Sequence, residues 1–314
     1  PILTEYMRDV RSVVKHAAEA RGRTISLGAR VLPTLSGNIT AGLDVQTWIK
    51  EGLLDFVVPD FYGDHQIDGD FPFEWLTELT RPTSCEVYPT LQDGVRALDI
   101  GDSRQDPSGV GEQPATVDQY RAAAAAYWNR GADAIYLPWF KWPVEAEQKQ
   151  ILSEIHDPDL LSKKPKHYVV RRDYEKAFVS NHGYEPQTAS GYTSQLKTTL
   201  EPGMETPGYI VRLHVADEPN DARAHVKIRL IGSTALDSMT VTLNDTPLSW
   251  ETCTRTDHDG YYGTWIDFLI SPTLLRKGQN AVGVALHSRP TNLKHPVLLE
   301  SVDITVEHPT PKSN

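Results

Sequence analysis

The sequence predicts an α/β region that forms half of a TIM-type (β/α) barrel, followed by an all-β region that forms an antiparallel β-sandwich of the jelly-roll type. Three observations lead to this fold class. Residues 1–165 alternate helical patterns with short apolar strands. Four of these strands end at a proline that polar or aromatic residues follow. Residues 166–314 carry only short β-rich runs separated by turn signals. We therefore expect two domains, 1–165 and 166–314.

The elements of the first half follow one another closely along the chain. Apolar residues at helical spacing predict helices, and Gly22 and Gly131 supply stop signals for two of them. The predicted helices cover 1–23, 44–52, 72–80, 117–130 and 144–155. The predicted strands cover 25–31, 54–59, 85–89 and 134–138. Strands that alternate with helices favour a parallel sheet covered by helices.

Four strands are half of a closed barrel, which needs about 250 residues where this region has only about 160. Three explanations stay open: the first half of the barrel is missing, two chains join their half-sheets in a homodimer, or the sheet is open.

The second half loses its helical periodicity near residue 166. Short alternating or β-rich runs predict strands at 209–215, 224–231, 239–243, 263–270, 280–286 and 298–306. Asn244-Asp245 and Asp259-Gly260 are typical of the turns between such strands. Residues 156–206 show no clear pattern and are interpreted as the connection between the domains.

Composition excludes several classes of partner. The 314 residues carry a formal charge of -11 with no cluster of Lys and Arg, which argues against a nucleic-acid partner or an anionic membrane surface. No apolar run approaches the roughly 18 residues of a membrane span. Residues 1–23 lack the apolar core of a signal peptide. The location is therefore left open: extracellular or periplasmic if an upstream signal has been removed, otherwise cytoplasmic.

Sequence motifs exclude other chemistry. No G-x-G-x-x-G, Walker A, G-x-S-x-G or H-E-x-x-H pattern is present, so nucleotide binding, α/β-hydrolase catalysis and zinc hydrolysis are disfavoured. Cys85 begins a predicted strand at the end opposite the functional loops, and Cys253 lies in the other domain. No cofactor is expected.

Residues 42–59, with the sequence GLDVQTWIKEGLLDFVVP, resemble the late barrel units of the bacterial glycosyl-hydrolase-like family 10 proteins. The segments 85–93 and 120–139 fit the same pattern, so the resemblance covers roughly 1–165. The turn at 277–280 and the strand after it are similar to the last hairpin of the galactose-binding-like jelly rolls that are appended to glycosidases. The resemblance implies a carbohydrate substrate at the barrel loops and a carbohydrate-binding-module-like β domain.

One departure from the pattern concerns the catalytic residues. Barrel glycosidases that resemble this group place an acid/base carboxylate after the fourth strand and a nucleophile after the seventh. If the four strands are the fifth to the eighth, the first of these carboxylates is missing. The seventh-like strand continues as 88–93, YPTLQD, without a glutamate.

Candidate catalytic carboxylates follow the predicted strands. Glycoside cleavage needs two carboxyl groups, one to protonate the leaving group and one to attack or to activate water. Asp60, Asp64 and Asp93 are the carboxylates in these positions, and ordinary turn roles are the alternative for each. Asp64, Asp68 and Asp70 also form a weak candidate for a structural Ca²⁺ site, although the spacing lacks the full EF-hand pattern.

Candidate substrate-binding residues lie at the same strand ends. Flat aromatic rings stack on sugar C–H faces, and a strand-end arginine either contacts substrate or pairs with a carboxylate. A loop histidine next to a carboxylate can shuttle protons, although a lone loop histidine is more often simply exposed. The predicted set is Arg30, Tyr62, His65, Trp139, Lys141 and Trp142.

These observations favour a glycoside hydrolase that acts on a poly- or oligosaccharide with carboxylate chemistry. The alternatives are a non-catalytic carbohydrate-binding or scaffolding protein, and a truncated product that dimerises to complete its barrel.

Overall fold

A computed structural model describes residues 2–60, 65–96, 112–140, 142–172, 194–216, 222–257 and 263–308. The first part of the chain alternates helices with short strands. The helices are α1 (Ile2–Arg21), α2 (Leu35–Thr40), α3 (Val45–Lys50), α4 (Glu74–Thr80), α5 (Val117–Asn129), α6 (Ala146–Glu154) and α7 (Pro158–Leu161). The strands are β1 (Gly28–Val31), β2 (Phe56–Pro59), β3 (Glu86–Val87), β4 (Gly94–Arg96) and β5 (Glu112–Pro114).

Strands β1, β2 and β3 form a parallel sheet in that order, and β4 and β5 form a separate antiparallel hairpin. The predicted fourth strand, 134–138, is wrong as a strand. It makes a single parallel bridge between Tyr136 and Thr90, because turns on both sides leave no room for a longer ladder. Strands β1, β2 and β3 and the segment at Tyr136 nevertheless lie side by side in this order and run in the same direction.

Local sequence signals set the helix boundaries. The side chain of Asp44 accepts a hydrogen bond from the Thr47 N–H, so α3 begins one residue after the aspartate. A capping box joins Thr116 and Gln119 at the start of α5. Gly131, with a φ of +89°, adopts the left-handed conformation just after α5, which favours glycine over other residues.

The remaining strands form the β-sandwich. They are β6 (Lys166–Val169), β7 (Thr198–Leu200), β8 (Tyr209–Val215), β9 (Arg223–Ile231), β10 (Ser238–Leu243), β11 (Thr246–Pro247), β12 (Cys253–Asp257), β13 (Gly263–Ile270), β14 (Gly278–Ser288) and β15 (Val297–Glu307). One antiparallel sheet has the order β11-β10-β14-β8. The other has the order β12-β13-β9-β15-β6, and β7 pairs with another part of β15. All six strands that the sequence predicted in this half are confirmed within two residues at each end, while β6, β7, β11 and β12 were missed.

Strand alternation explains the sandwich core. In β9, Val226, Ile228 and Leu230 are fully buried on the inner face, whereas Lys227 and Arg229 point to the other face. Arg229 is also almost fully buried, since the outer face of this sheet is covered. A charged side chain in that position requires compensation, and Glu300 lies beside it.

Helix α5 lies between the two halves. It contacts β6 and β8 of the sandwich as well as α6 and α7. Ala122 belongs to the sandwich core, whereas Ala123, Ala124 and Tyr127 belong to the core of the α/β half. The two cores are therefore joined through one helix. Within the described part of the chain, no helix has the length and apolar character that a membrane crossing requires.

Helix α1 is held to the sheet by an ion pair at the start of β2. The guanidinium of Arg11 donates to both carboxylate oxygens of Asp55, at 2.6 and 2.9 Å, and the Leu27 N–H donates to the same carboxylate at 2.7 Å. The hydrogen bonds from Arg11 lower the pKa of Asp55 below its ordinary value. The ionised carboxylate therefore stabilises the folded chain.

We expect the Asp55→Asn substitution to lower the free energy of unfolding by about 1 kcal/mol at pH 7, since the pair is partly solvated. Because the pKa of Asp55 is lowered on folding, its stabilising effect is complete above the unfolded pKa of about 3.9 and is lost as the pH falls further. Urea unfolding across this acidic range should therefore show a flatter pH dependence for Asp55→Asn than for the unsubstituted protein. Asp9→Asn, an exposed position on the same helix, serves as the control. Parallel pH profiles for Asp55→Asn and the unsubstituted protein would contradict the assignment.

Candidate functional site

The carboxyl ends of the parallel segments meet at one edge of the sheet. The Asp60 N–H donates to the carbonyl of Val31 at 2.9 Å, and the Tyr136 N–H donates to the carbonyl of Pro89 at 3.1 Å. These hydrogen bonds continue the ladder past the last strand residues. The residues that follow each strand are thereby brought to a common edge, which is where ligands bind in parallel α/β sheets.

Asp60 is a buried residue of this edge, and only 3% of it is exposed. The Arg30 guanidinium pairs with its Oδ2, and Gln92 Nε2 donates to its Oδ1 at 3.0 Å. Each carboxylate oxygen therefore has a donor, as a buried charge requires. Of the two roles predicted for Arg30, the structure shows the pairing with a carboxylate. The Arg30 side chain remains 46% exposed.

Asp93, His65 and Trp139 form the accessible part of the edge. His65 Nδ1 lies 3.3 Å from Asp93 Oδ1, and both side chains are about one-third exposed. The imidazole ring of His65 lies 4.6 Å from the Trp139 ring with a tilt of 34°. Trp139 is itself 44% exposed. A carboxylate, an imidazole and an indole are thus contiguous and open to solvent.

Gly94 explains why Asp93 and His65 are neighbours. The Gly94 N–H donates to the His65 carbonyl at 2.8 Å, and the Ile67 N–H donates to the Gly94 carbonyl at 2.7 Å. A Cβ at position 94 would lie 3.1 Å from the His65 carbonyl oxygen, which is tighter than ordinary contact. A residue without a side chain therefore lets the two backbone segments approach and fixes Asp93 beside the imidazole.

Two tyrosines of α5 support the edge from below. The hydroxyl of Tyr127 lies 2.9 Å from the carbonyl of Asp68 and 3.2 Å from that of Thr90. Burial raises the pKa of Tyr120, and the negative charge of Asp93 raises it further. Tyr120 is therefore a neutral phenol close to the Asp93 carboxylate. Its ring meets Phe140 edge to face at 6.3 Å.

The structure brings together five of the predicted site residues, which are Arg30, Asp60, His65, Asp93 and Trp139. Trp142 is 88% exposed and makes no ring contact or hydrogen bond with another described residue. Tyr62, Asp64 and Lys141 lie outside the described residues.

The loop that carried the weak Ca²⁺ prediction is organised by a turn. The Asp70 N–H donates to Asp68 Oδ1 at 2.9 Å, and Asp68 is 3% exposed. Over the described ranges, no group of three or more His, Cys, Asp or Glu side chains is arranged to hold a metal ion.

Sequence reasoning missed Gln92, Thr90 and Tyr120. Gln92 precedes Asp93 in the strand-end segment 88–93, and a polar residue beside a candidate carboxylate was a usable signal. Tyr120 gave no such signal, because an aromatic residue in the first turns of an amphipathic helix is typical of a core position.

Comparisons with known proteins do not assign the chain to a family. No family model and no curated protein matches the chain, so the resemblance to a particular glycosyl-hydrolase-like family gains no support. A cycloisomaltooligosaccharide glucanotransferase from Paenibacillus sp., in complex with cycloisomaltoheptaose, is similar at 12% identity over 86% of this chain and 38% of the enzyme, with a TM-score of 0.23. A β-porphyranase of glycoside hydrolase family 86 from the human gut bacterium Bacteroides plebeius is similar at 12% identity, 90% and 63% coverage, and a TM-score of 0.24.

A two-domain esterase active on acetylated mannans, co-crystallised with mannopentaose, is similar at 13% identity, 89% and 79% coverage, and a TM-score of 0.24. These three neighbours are carbohydrate-active enzymes, and this chain spans less than two thirds of the first two. TM-scores this low carry no argument about the fold or the activity of the chain.

Proposed function

We propose that the protein is a carbohydrate-active enzyme that hydrolyses glycosidic bonds at the edge formed by Asp93, His65 and Trp139. The observation that carries this proposal is the contiguity of an accessible carboxylate, an imidazole and an exposed indole at the carboxyl ends of parallel strands. Each of the three residues has a distinct task in binding or cleaving a sugar.

Trp139 provides the binding surface. A flat, half-exposed indole offers an apolar face to the C–H groups of a sugar ring, and the polar groups beside it receive the hydroxyls. His65 packs against this indole, so a sugar placed on Trp139 lies within reach of the imidazole and of Asp93.

Asp93 and His65 provide the proton transfers. Hydrolysis needs a group that accepts a proton from the attacking water and a group that protonates the leaving oxygen. In our proposal the Asp93 carboxylate is the acceptor and the imidazolium of His65 is the donor. Asp60 has a donor on each oxygen and is almost fully buried, so we assign it the positioning of Arg30. The predicted roles of Tyr62, Asp64 and Lys141 stay predictions.

We expect Asp93→Asn to lower kcat/KM for a cleaved glycan by about 10²- to 10⁴-fold, the range typical for loss of a general acid or base. The substrate would first be found by screening polysaccharides with detection of new reducing ends. Asp267→Asn is a matched control, because Asp267 is 31% exposed and also pairs with a histidine, at 2.7 Å, in the β-sandwich. Equal activity in Asp93→Asn and Asp267→Asn would refute the catalytic role of Asp93.

We expect Trp139→Ala to weaken oligosaccharide binding by about tenfold or more, since an aromatic platform contributes on the order of 1 kcal/mol beyond area burial. Trp250→Ala is the control, because Trp250 has a similar exposure of 42% but lies in the β-sandwich. Calorimetric titration with oligosaccharides from the screen measures both variants. Binding that depends on Trp139 without any turnover would favour the non-catalytic carbohydrate-binding protein instead.

We also propose that residues 1–165 are the second half of a TIM-type barrel and that residues 166–314 are a jelly-roll domain. The parallel order of β1, β2, β3 and the segment at Tyr136 supports the first point, since consecutive barrel strands are neighbours. If a second copy completes the barrel, light scattering should give twice the mass of the 314-residue chain. A strict monomer at all concentrations would rule out completion by dimerisation.

A further inference from the structure

A second cavity lies between the α/β half and the β-sandwich, apart from the edge that carries Trp139. Its volume is about 130 Å³, and neither Asp93, His65 nor Trp139 lines it. Such a volume is about nine times the minimum that a single water requires. The polar and aromatic side chains that line it include Gln66, Gln119, His167, Arg172, Trp265 and Asp303.

The outer face of the larger sheet forms one wall of this cavity. Trp265 comes from β13, Asp303 from β15 and His167 from β6. Helix α5 supplies Gln119 from the opposite side. The cavity is therefore built from elements of both halves.

Both oxygens of the Asp303 carboxylate accept hydrogen bonds, and the contact with His167 determines which nitrogen of that imidazole can accept one from a ligand. Ser301 Oγ donates to Asp303 Oδ1 at 2.6 Å, and His167 Nε2 lies 2.9 Å from Asp303 Oδ2. A carboxylate only accepts hydrogen bonds, so His167 Nε2 carries the proton. In the neutral imidazole, Nδ1 then has a lone pair that can accept a hydrogen bond from a ligand hydroxyl.

Gln119 supplies a donor to the same cavity. It is 6% exposed, and its Oε1 accepts a hydrogen bond from the Thr116 N–H at 2.9 Å. The oxygen is thus committed to the helix cap. Within the described ranges, the Nε2 amide makes no hydrogen bond, so it can donate to a ligand.

Charge in the cavity is compensated by the protein itself. Arg172 Nη1 lies 3.8 Å from Glu300 Oε1, and Asp303 receives two hydrogen bonds. Among the described residues that line the cavity, the charged side chains of Arg172 and Asp303 are thus already engaged, which disfavours a charged ligand. A neutral molecule with several hydroxyls fits better, because each hydroxyl both donates and accepts and can match the Gln119 donor and the His167 acceptor. The Trp265 indole adds an apolar wall.

We propose that this cavity is a second ligand site, which binds a neutral polyhydroxy molecule the size of one monosaccharide. A cavity of about 130 Å³ suits a small ligand, whereas Trp139 lies on an edge that is open to solvent. Neither Asp93 nor His65 lines the cavity, but the lining residues Gln66 and Val95 follow them closely in sequence, so the two sites are neighbours.

The test is a calorimetric titration of the full chain with D-glucose, D-galactose, D-mannose and D-xylose at millimolar concentrations. We expect saturable binding of at least one sugar and a loss of affinity of about tenfold or more in Gln119→Glu. Glutamate keeps the oxygen that caps α5 but removes the amide donor, so the helix should remain intact. Trp139→Ala is the control, and it should leave this affinity unchanged.

A second variant distinguishes loss of sugar binding from misfolding of the protein. Trp265→Phe should remove the change in tryptophan fluorescence that accompanies sugar binding, while far-UV circular dichroism and the melting temperature stay close to those of the unsubstituted protein. The absence of saturable binding by all four sugars would overturn the proposal. Equal affinities in Gln119→Glu and the unsubstituted protein would overturn it as well. Sugar binding that is lost in Trp139→Ala and kept in Gln119→Glu would assign the ligand to the other site.

Discussion

The burial of residues 119–127 of α5 is the constraint on which the rest of the structure depends. The helix is covered by the sandwich through β6 and β8 and by α6 and α7 at its flank. Five consecutive alanines, 122–126, are all buried. Alanine has high helix propensity and no bulk, so the helix forms readily and lets four neighbours approach its backbone. A larger residue in this run would have to displace a sheet or a helix.

Two arginines, Arg121 in α5 and Arg130 just after it, fix the position of the helix relative to its neighbours. Arg121 is 7% exposed and makes two hydrogen bonds with the equally buried Glu154 of α6, at 2.6 and 3.1 Å. At the other end, Arg130 donates to the carbonyls of Gly69 and Phe71 at 2.7 and 2.6 Å. The loop that begins at His65 is therefore held from α5 as well as by the Gly94 hydrogen bonds that place the imidazole beside Asp93.

The sequence predicts the elements of this fold better than the contacts between them. Helix α5 and the six main sandwich strands follow from periodicity, because their patterns are long enough to be unambiguous. The segment at 134–138 fails, since a short apolar run before a proline also fits a turn, and only the backbone pairing with Thr90 decides between the two. The meeting of Asp93 with His65 depends on a backbone approach at Gly94, across 28 residues of sequence, and no local pattern encodes it.

Environment distinguishes the two aspartates that the sequence treated alike. Asp60 and Asp93 each follow a parallel strand, and on sequence grounds neither has priority. In the fold, Asp60 is buried with a guanidinium on one oxygen and an amide on the other, so protonation of this carboxylate would remove the charge that pairs with Arg30. Asp93 is about one-third exposed and faces an imidazole that can itself change charge. Two carboxylates in such different surroundings suit different tasks, with the buried one holding the edge in place and the accessible one reacting. The two environments differ because the Gln92 amide donates to Asp60, whereas the backbone hydrogen bonds of Gly94 bring His65 beside Asp93.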